Sequence, residues 1–297
     1  MKVVLITGSS TGIGLETALH LADSGYRVFA SARNPEASEG LQQAAGRVET
    51  VKLDVNDDAS VNRAVAETLE RAGRIDVLIN NAGVGGGGPV EVTPLEKAKG
   101  TFETNYFGAI RMIQAVVPGM RERRSGVVVN VTSIAGRVVL AAHSHYAASK
   151  FALEALSESL AQELAPYGVR VAIIEPGVVL TPIFSKGGSK ELDPDLPSMA
   201  AVRRLWALFA AQLKEPTLPI ACAETIRRAI ESEEHKLRYP VGRDAAVFVA
   251  GRARVSDEEW VTASAIEDDD AFFDRMHEIF GADLYREPAN ALGGATA

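Results

Sequence analysis

Cysteine is nearly missing from this sequence: among 297 residues only Cys222 carries a thiol. No intramolecular disulfide can form, and a cysteine-based metal cage is excluded. Excess positive charge is missing too. Lys and Arg total 31 against 39 Asp and Glu, a formal net charge of −8. That balance leaves no electrostatic footprint for a nucleic-acid backbone or an anionic membrane surface, while a local basic site for one small anion stays open. Long apolar runs are absent, the longest being strand-sized and far short of a membrane span. The N-terminus enters one of them directly, without signal-peptide architecture. No internal repeat is visible. Hydrophobic residues at 46% and charged residues at 24% exclude wholesale disorder. The expectation is a soluble, cytoplasmic, enzyme-sized chain with neither nucleic acid nor membrane as partner.

What the sequence does have is alternation. Val3–Ile6, Arg27–Ser31, Val48–Leu53, Asp76–Ile79, Val127–Val131 and Val169–Ile174 are short β-branched runs. They are too continuously apolar to keep one face in water, so helices should cover both faces of a parallel sheet. Between them Gly12–Ser24, Ala59–Ala72, Leu95 to about Arg123, and Tyr146–Ala165 show the apolar spacing of helices. A last strand is expected at Leu237–Val241. This predicts an α/β fold with a doubly wound parallel sheet, one domain over residues 1–280. The rhythm breaks over 183–219, where Gly187, Gly188, Pro194 and Pro197 precede a helix around Arg203–Leu213. Leu205, Trp206, Leu208 and Phe209 crowd that helix, which is expected to be a substrate lid; the other reading is a helix packed permanently on the core. Residues 281–297 turn to small side chains and are expected to be a flexible tail.

The first strand runs into Thr7-Gly8-Ser9-Ser10-Thr11-Gly12-Ile13-Gly14 and then a helix. Glycines let backbone approach a ligand closely, and the helix start offers unpaired N–H groups to a pyrophosphate. Tyr146 and Lys150 lie four apart, on one helix face. A phenol titrating near 10 is a poor catalyst at neutral pH, and a neighbouring ammonium should pull it toward the working range. Ser133, at a strand end, can hold a substrate oxygen.

The spacing Gly-x-x-x-Gly-x-Gly resembles the short-chain dehydrogenase/reductase family. Asn80-Asn81-Ala82-Gly83, Asn105, Ser133, Tyr146-Ala147-Ala148-Ser149-Lys150, and Pro176-Gly177 with Thr181 follow in the family's order over residues 1–182. Arg238-Tyr239-Pro240-Val241-Gly242 is similar to the branch with 17β-hydroxysteroid-dehydrogenase-like and retinol-dehydrogenase-like members. The resemblance implies a Rossmann-type sheet and a hydride transfer between a nicotinamide and an alcohol or carbonyl. Tyr146 would exchange the proton, and Ser133 would orient the substrate. Lys150 would also bind the nicotinamide ribose, and Asn105 would hold a water linking Lys150 to solvent. Cofactor contacts implied in the same way are Gly8, Ser10, Thr11, Gly12, Ile13, Gly14, Asn81, Ala82, Gly83, Tyr146, Lys150, Pro176, Gly177 and Val179. Thr181 would hold the carboxamide; Asp54, beside Val55, would accept from the adenine amino group.

The cofactor choice rests on Val28-Phe29-Ala30-Ser31-Ala32-Arg33-Asn34, which has no acid until Glu36. An NAD-selective site places a carboxylate at the end of this strand, which repels a 2′-phosphate. Ala32 stands there instead, and Arg33 can grip a phosphate through paired hydrogen bonds. NADP(H) is therefore expected over NAD(H). Two alternatives keep the fold, a non-enzymatic dinucleotide sensor and an epimerase. His143 and His145, without a third ligand, are expected to line the pocket or its loop rather than hold a metal. Gly85–Gly88 should lie near the substrate entrance, and Asp268–Asp270 should be a solvated acidic surface. Phe151, Leu153 and Leu160 are expected on a helical interface of a homodimer or homotetramer. The substrate is expected to be an apolar alcohol, ketone or aldehyde.

Overall fold

The computed structural model describes residues 1–183, 193–234 and 236–281. The strands are β1 Val3–Ile6, β2 Arg27–Ala32, β3 Glu49–Lys52, β4 Val77–Asn80, β5 Gly126–Val131, β6 Val169–Pro176 and β7 Arg238–Val241. All are parallel and form one sheet in the order β3-β2-β1-β4-β5-β6-β7. The order reverses between β1 and β4. In such sheets that switch point leaves a crevice beyond the strand ends.

The apolar runs are buried on both sides because successive side chains point to opposite faces. Val4, Ile6, Val28, Ala30, Ile79 and Val129 pack to one side. There they meet Ala18 and Leu21 of α1 (Gly12–Asp23) and Ile226 and Ile230 of α8 (Pro219–Glu231). Val3, Leu5, Phe29, Leu78 and Val128 face the other way. Their partners are α3 (Asp58–Ala72), α5 (Gly108–Glu122) and α6 (Ser144–Leu164). A short α2 (Glu39–Gln43) lies between β2 and β3. Asp57 starts α3 by accepting from the N–H groups of Ala59 and Ser60, and Gly73 ends it with φ 77°.

The expected long helix from Leu95 is interrupted. α4 (Leu95–Phe102) passes through a π turn at Glu103–Phe107 before α5 begins. A π turn inserts one residue and rotates the following face. Asn105 sits in it, 1% exposed. The expected interface needs correction: Leu153 and Leu160 are buried core residues, and of the three only Phe151 is exposed, together with Phe107 and Leu95. Helical periodicity locates an apolar stripe but not whether the sheet or a partner covers it.

Beyond Asp193 the described chain forms α7 (Met199–Leu213) and α8, then β7, α9 (Arg243–Arg252), α10 (Asp257–Ala263) and α11 (Asp269–Phe280). A third core lies here, built from Val138, Leu208, Phe248, Phe272, Met276, Ile279 and Phe280. Asp268–Asp270 is not simply a solvated run. Asp268 caps α11 by accepting from Ala271 N, and Asp269 pairs with the buried Arg204 of α7 at 2.7 Å. Arg204 also donates to the carbonyls of Ile266 and Glu267 and lies 4.1 Å from the Phe272 ring. Among the described residues no helix is long and apolar enough to cross a membrane. Residues 184–192 of the expected lid and 282–297 of the expected tail lie outside the described residues.

Candidate active site

The turns after β1 and β4 are locked together. Thr7 Oγ1 accepts from the N–H groups of Asn81 (3.0 Å) and Ala82 (2.9 Å), while Asn81 Nδ2 donates to the carbonyls of Thr7 and Gly8. Gly8 has φ 71°, and a Cβ there would stand 2.7 Å from Ala82 Cα. A Cβ on Gly14 would run into Gly8 O and Asn81 Nδ2. The glycines are thus required by packing as well as by any ligand. Thr11 precedes α1 without a side-chain cap, so the first N–H groups of that helix face the crevice unpaired by one. Such a helix start suits a phosphate.

One cavity of about 370 Å³ opens above these turns. It is lined by Gly8, Ser10, Thr11, Gly12, Ile13, Gly14, Arg33, Asp54, Val55, Asn81, Ala82, Gly83, Ser133, Tyr146, Lys150, Pro176, Gly177, Val179 and Thr181. Every catalytic or cofactor candidate of the sequence lines it except Asn105, which is not among the lining residues. Arg33 is exposed at the cavity edge and makes no hydrogen bond or ion pair with the described residues. Asp54 accepts from Asn56 N at 3.0 Å, so it closes a local turn while lining the cavity.

The reactive side chains come from three neighbouring elements. Ser133 follows β5, where its Oγ accepts from Ala135 N (3.1 Å) and donates to Pro176 O (3.3 Å). Tyr146 and Lys150 share one face of α6, with the ammonium 5.7 Å from the phenol ring centre. Lys150 is buried and donates to Val131 O at 3.0 Å. Burial pushes it down to about 8, and Glu154 one turn on opposes that. Glu154 is itself buried and held by Thr132 (2.6 Å) and Arg238 (3.0 Å). The expected lowering of the tyrosine by the lysine is not found. Burial raises Tyr146 above its ordinary value, with only the Ser133 hydrogen bond pulling it down. Desolvation penalises the phenolate more than an ammonium anchored elsewhere stabilises it. Asn105 donates to Ser149 Oγ (3.0 Å) and Val84 O (3.1 Å) and accepts from Val84 N (2.8 Å). A Cβ on Gly83 would stand 3.3 Å from Asn105 Oδ1 and 3.7 Å from Lys150 Nζ, so that glycine leaves a gap between the two polar groups.

A family model described as short chain dehydrogenase matches residues 2–192. The chain belongs to that family. Mouse 17-beta-hydroxysteroid dehydrogenase type 1 is 38% identical over 256 residues, covering 80% of this chain and 72% of that enzyme. Human retinol dehydrogenase 8 is 41% identical over 193 residues, 62% of this chain and 61% of that enzyme. Both support the branch named above. A short-chain dehydrogenase structure from Streptomyces avermitilis superposes with a TM-score of 0.77 at 38% identity, covering 90% of this chain and 98% of its own. Another, from Burkholderia cenocepacia in complex with NADP, gives 0.69 at 27% identity, covering 90% and 100%.

One part of the dehydrogenase cavity wall is apolar. Val138, Leu140, Val202, Leu205, Trp206, Leu208, Phe209 and Phe248 line it. The α7 helix therefore faces the cavity while Arg204 fastens it to the C-terminal helices. The ends of the expected lid segment are pinned together, with Leu180 N donating to Thr217 O at 2.9 Å beside a Val179–Thr217 bridge. His143 lines the cavity, whereas His145 does not. Gly85–Gly88 also line it.

Two dehydrogenase residues escaped the sequence reading. Thr7 was visible in the glycine motif, yet its role needs the β4 turn, more than seventy residues away. Asp244, at the start of α9, is buried and accepts from Val178 N at 2.8 Å. A Cβ on Gly177 would run into its carboxylate, and one on Gly242 (φ 103°) would come within 2.7 Å. No local pattern marks an aspartate for a partner in another element.

Proposed function

We propose that this protein is an NADP(H)-preferring oxidoreductase that interconverts an apolar alcohol with its ketone or aldehyde. The observation carrying this is a single cavity with Ser133, Tyr146 and Lys150 along its wall, an unpaired guanidinium at one edge and apolar α7 side chains elsewhere. A bound nicotinamide supplies or accepts the hydride. In the reducing direction Ser133 Oγ would hold the carbonyl oxygen, and Tyr146 Oη would deliver its proton as that oxygen gains negative charge. A phenol held above its ordinary value stays protonated at neutral pH, which suits that donor role. Lys150, with its ammonium beside the phenol, would stabilise the phenolate left behind, and a water beside Gly83 would bridge Lys150 and Asn105. The glycine turn, the α1 start and the loop from Pro176 to Thr181 would hold the dinucleotide. Arg33, with Ser10 or Thr11, would bind the 2′-phosphate.

The test is a screen of ketones, aldehydes and alcohols with NADPH and NADP⁺, followed by absorbance of the reduced nicotinamide. Arg33→Ala should raise KM for NADPH far more than for NADH. Wild-type turnover equally efficient with NADH would overturn the phosphate assignment and leave the catalytic one standing. We place the catalytic domain at 1–280 in the cytoplasm, with the α7 segment as the cover of the substrate site. Exposed Phe107 and Phe151 would pair across a two-fold axis in a homodimer or homotetramer. Light scattering at micromolar concentration should give a multiple of 31.6 kDa; a monomer mass would refute the pairing.

A further inference from the structure

His143 occupies a position the reaction as derived does not use. Its imidazole stacks on the Tyr146 ring, with centres 4.8 Å apart and planes 19° from parallel. On its other flank the Phe209 ring of α7 meets it edge-on at 5.6 Å. It lines the substrate side of the cavity, yet neither ring nitrogen makes a hydrogen bond with the described residues. Residue 142 before it has φ 61°, one of two non-glycine residues with positive φ among those described. The left-handed conformation is unfavourable for an alanine, whose Cβ crowds the following carbonyl. Here Ala142 O accepts from Gly88 N at 2.7 Å, which holds that conformation. Backbone strain kept beside a catalytic tyrosine points to a side chain that has to be aimed. Burial among rings pushes the imidazole down to about 4. At neutral pH it is therefore uncharged, with one nitrogen donating and the other accepting.

We infer that His143 is a second polar contact for the substrate, hydrogen-bonding an oxygen that lies near the reacting carbonyl. The favoured substrates are then apolar hydroxyketones or dicarbonyls rather than simple ketones. This rests on the oxidoreductase reading of the same cavity. An apolar wall rewards any long chain equally, whereas an unpaired imidazole within it loses a hydrogen bond whenever the second oxygen is missing.

The experiment compares matched pairs, a 2-alkanone against its 4-hydroxy and 2,4-dione counterparts, as ratios of kcat/KM with NADPH. Wild type should favour the second oxygen by about tenfold. His143→Phe keeps a ring on Tyr146 and should bring the ratio close to one; His143→Asn, which keeps a donor and an acceptor, should recover part of it. Losses common to both substrates cancel in the ratio. A wild-type ratio of one, or a ratio unchanged in His143→Phe, would overturn the inference. Calorimetric binding of the same pairs to the NADP⁺-loaded protein separates the two levels. No turnover of any carbonyl sinks the oxidoreductase reading, while the binding ratio still decides His143. Circular dichroism of both variants checks that they fold.

Discussion

Residues 1–182 and residues 193–281 build the same cavity by different means. In the first region several functional groups are fixed by hydrogen bonds to neighbouring strands and strand turns. Thr7 holds the N–H groups of Asn81 and Ala82, Ser133 is tied to Ala135 and Pro176, and Lys150 is tied to Val131. In the second region the cavity wall depends on packing between helices. Arg204 holds α7 to the start of α11, and Leu208 joins a core with Phe248, Phe272 and Met276. The family match ends at residue 192, close to that division. Chemistry common to a family needs one geometry, so its residues carry their own supports. A substrate wall needs only shape and apolarity, which many helix packings supply.

The largest test of this contrast is Tyr146→Phe. The variant keeps the ring against His143 and removes only the ionisable oxygen. Turnover should fall at least ~100-fold, at the low end for general acid–base catalysis, with cofactor affinity largely kept. Steady-state kinetics and a cofactor titration measure the two parts. Activity within a few-fold of wild type would break the claim that the first region holds the chemistry.

The same contrast explains what could be read from the sequence. The seven strands and the order of motifs are legible, and the site candidates other than Asn105 line one cavity, because alternation and glycine spacing are local signals. The break at Glu103–Phe107 was not, since a π turn leaves the apolar periodicity of α4 and α5 nearly intact. Leu153 and Leu160 were misplaced because an apolar helix stripe looks alike whether a sheet or a partner covers it. The tyrosine's shift was misjudged because sequence shows the lysine but not the depth of burial. Helices α8 to α11 went unassigned, and Arg204 was invisible as a fastening until Asp269 and Phe272 were placed beside it.

Asp244 sharpens the comparison, because it crosses from the second region to the first. Its carboxylate takes the Val178 N–H in the loop proposed to hold the nicotinamide. Asp244→Ala leaves that buried donor unpaired, a cost of about 1–3 kcal/mol. We expect KM for the cofactor to rise roughly tenfold, with Tm lowered by several degrees. Asp244→Asn retains an acceptor and should recover most of both. A lowered Tm with unchanged cofactor KM would reduce Asp244 to a structural cap and leave the two regions independent.

The smallest effect lies in the second region alone and is read per carbon atom. A homologous series of 2-alkanones extends an apolar chain from Tyr146 toward Leu205, Trp206 and Phe209, which line the cavity. Each methylene taken from water contributes ~0.8 kcal/mol, about fourfold in kcat/KM, until the wall is filled. Trp206→Ala removes a ring that packs edge-on against Phe209 at 5.7 Å. The slope of log kcat/KM against chain length should flatten for the longer members, while the shortest, which end before that ring, change least. Arg204→Ala gives the complementary case, because it loosens the helix without removing any of the apolar side chains that line the cavity. If the wall is only shape, both variants flatten the slope and neither alters the NADPH to NADH preference. A flat series in wild type, from short to long, would mean that α7 covers the cavity without selecting what enters it.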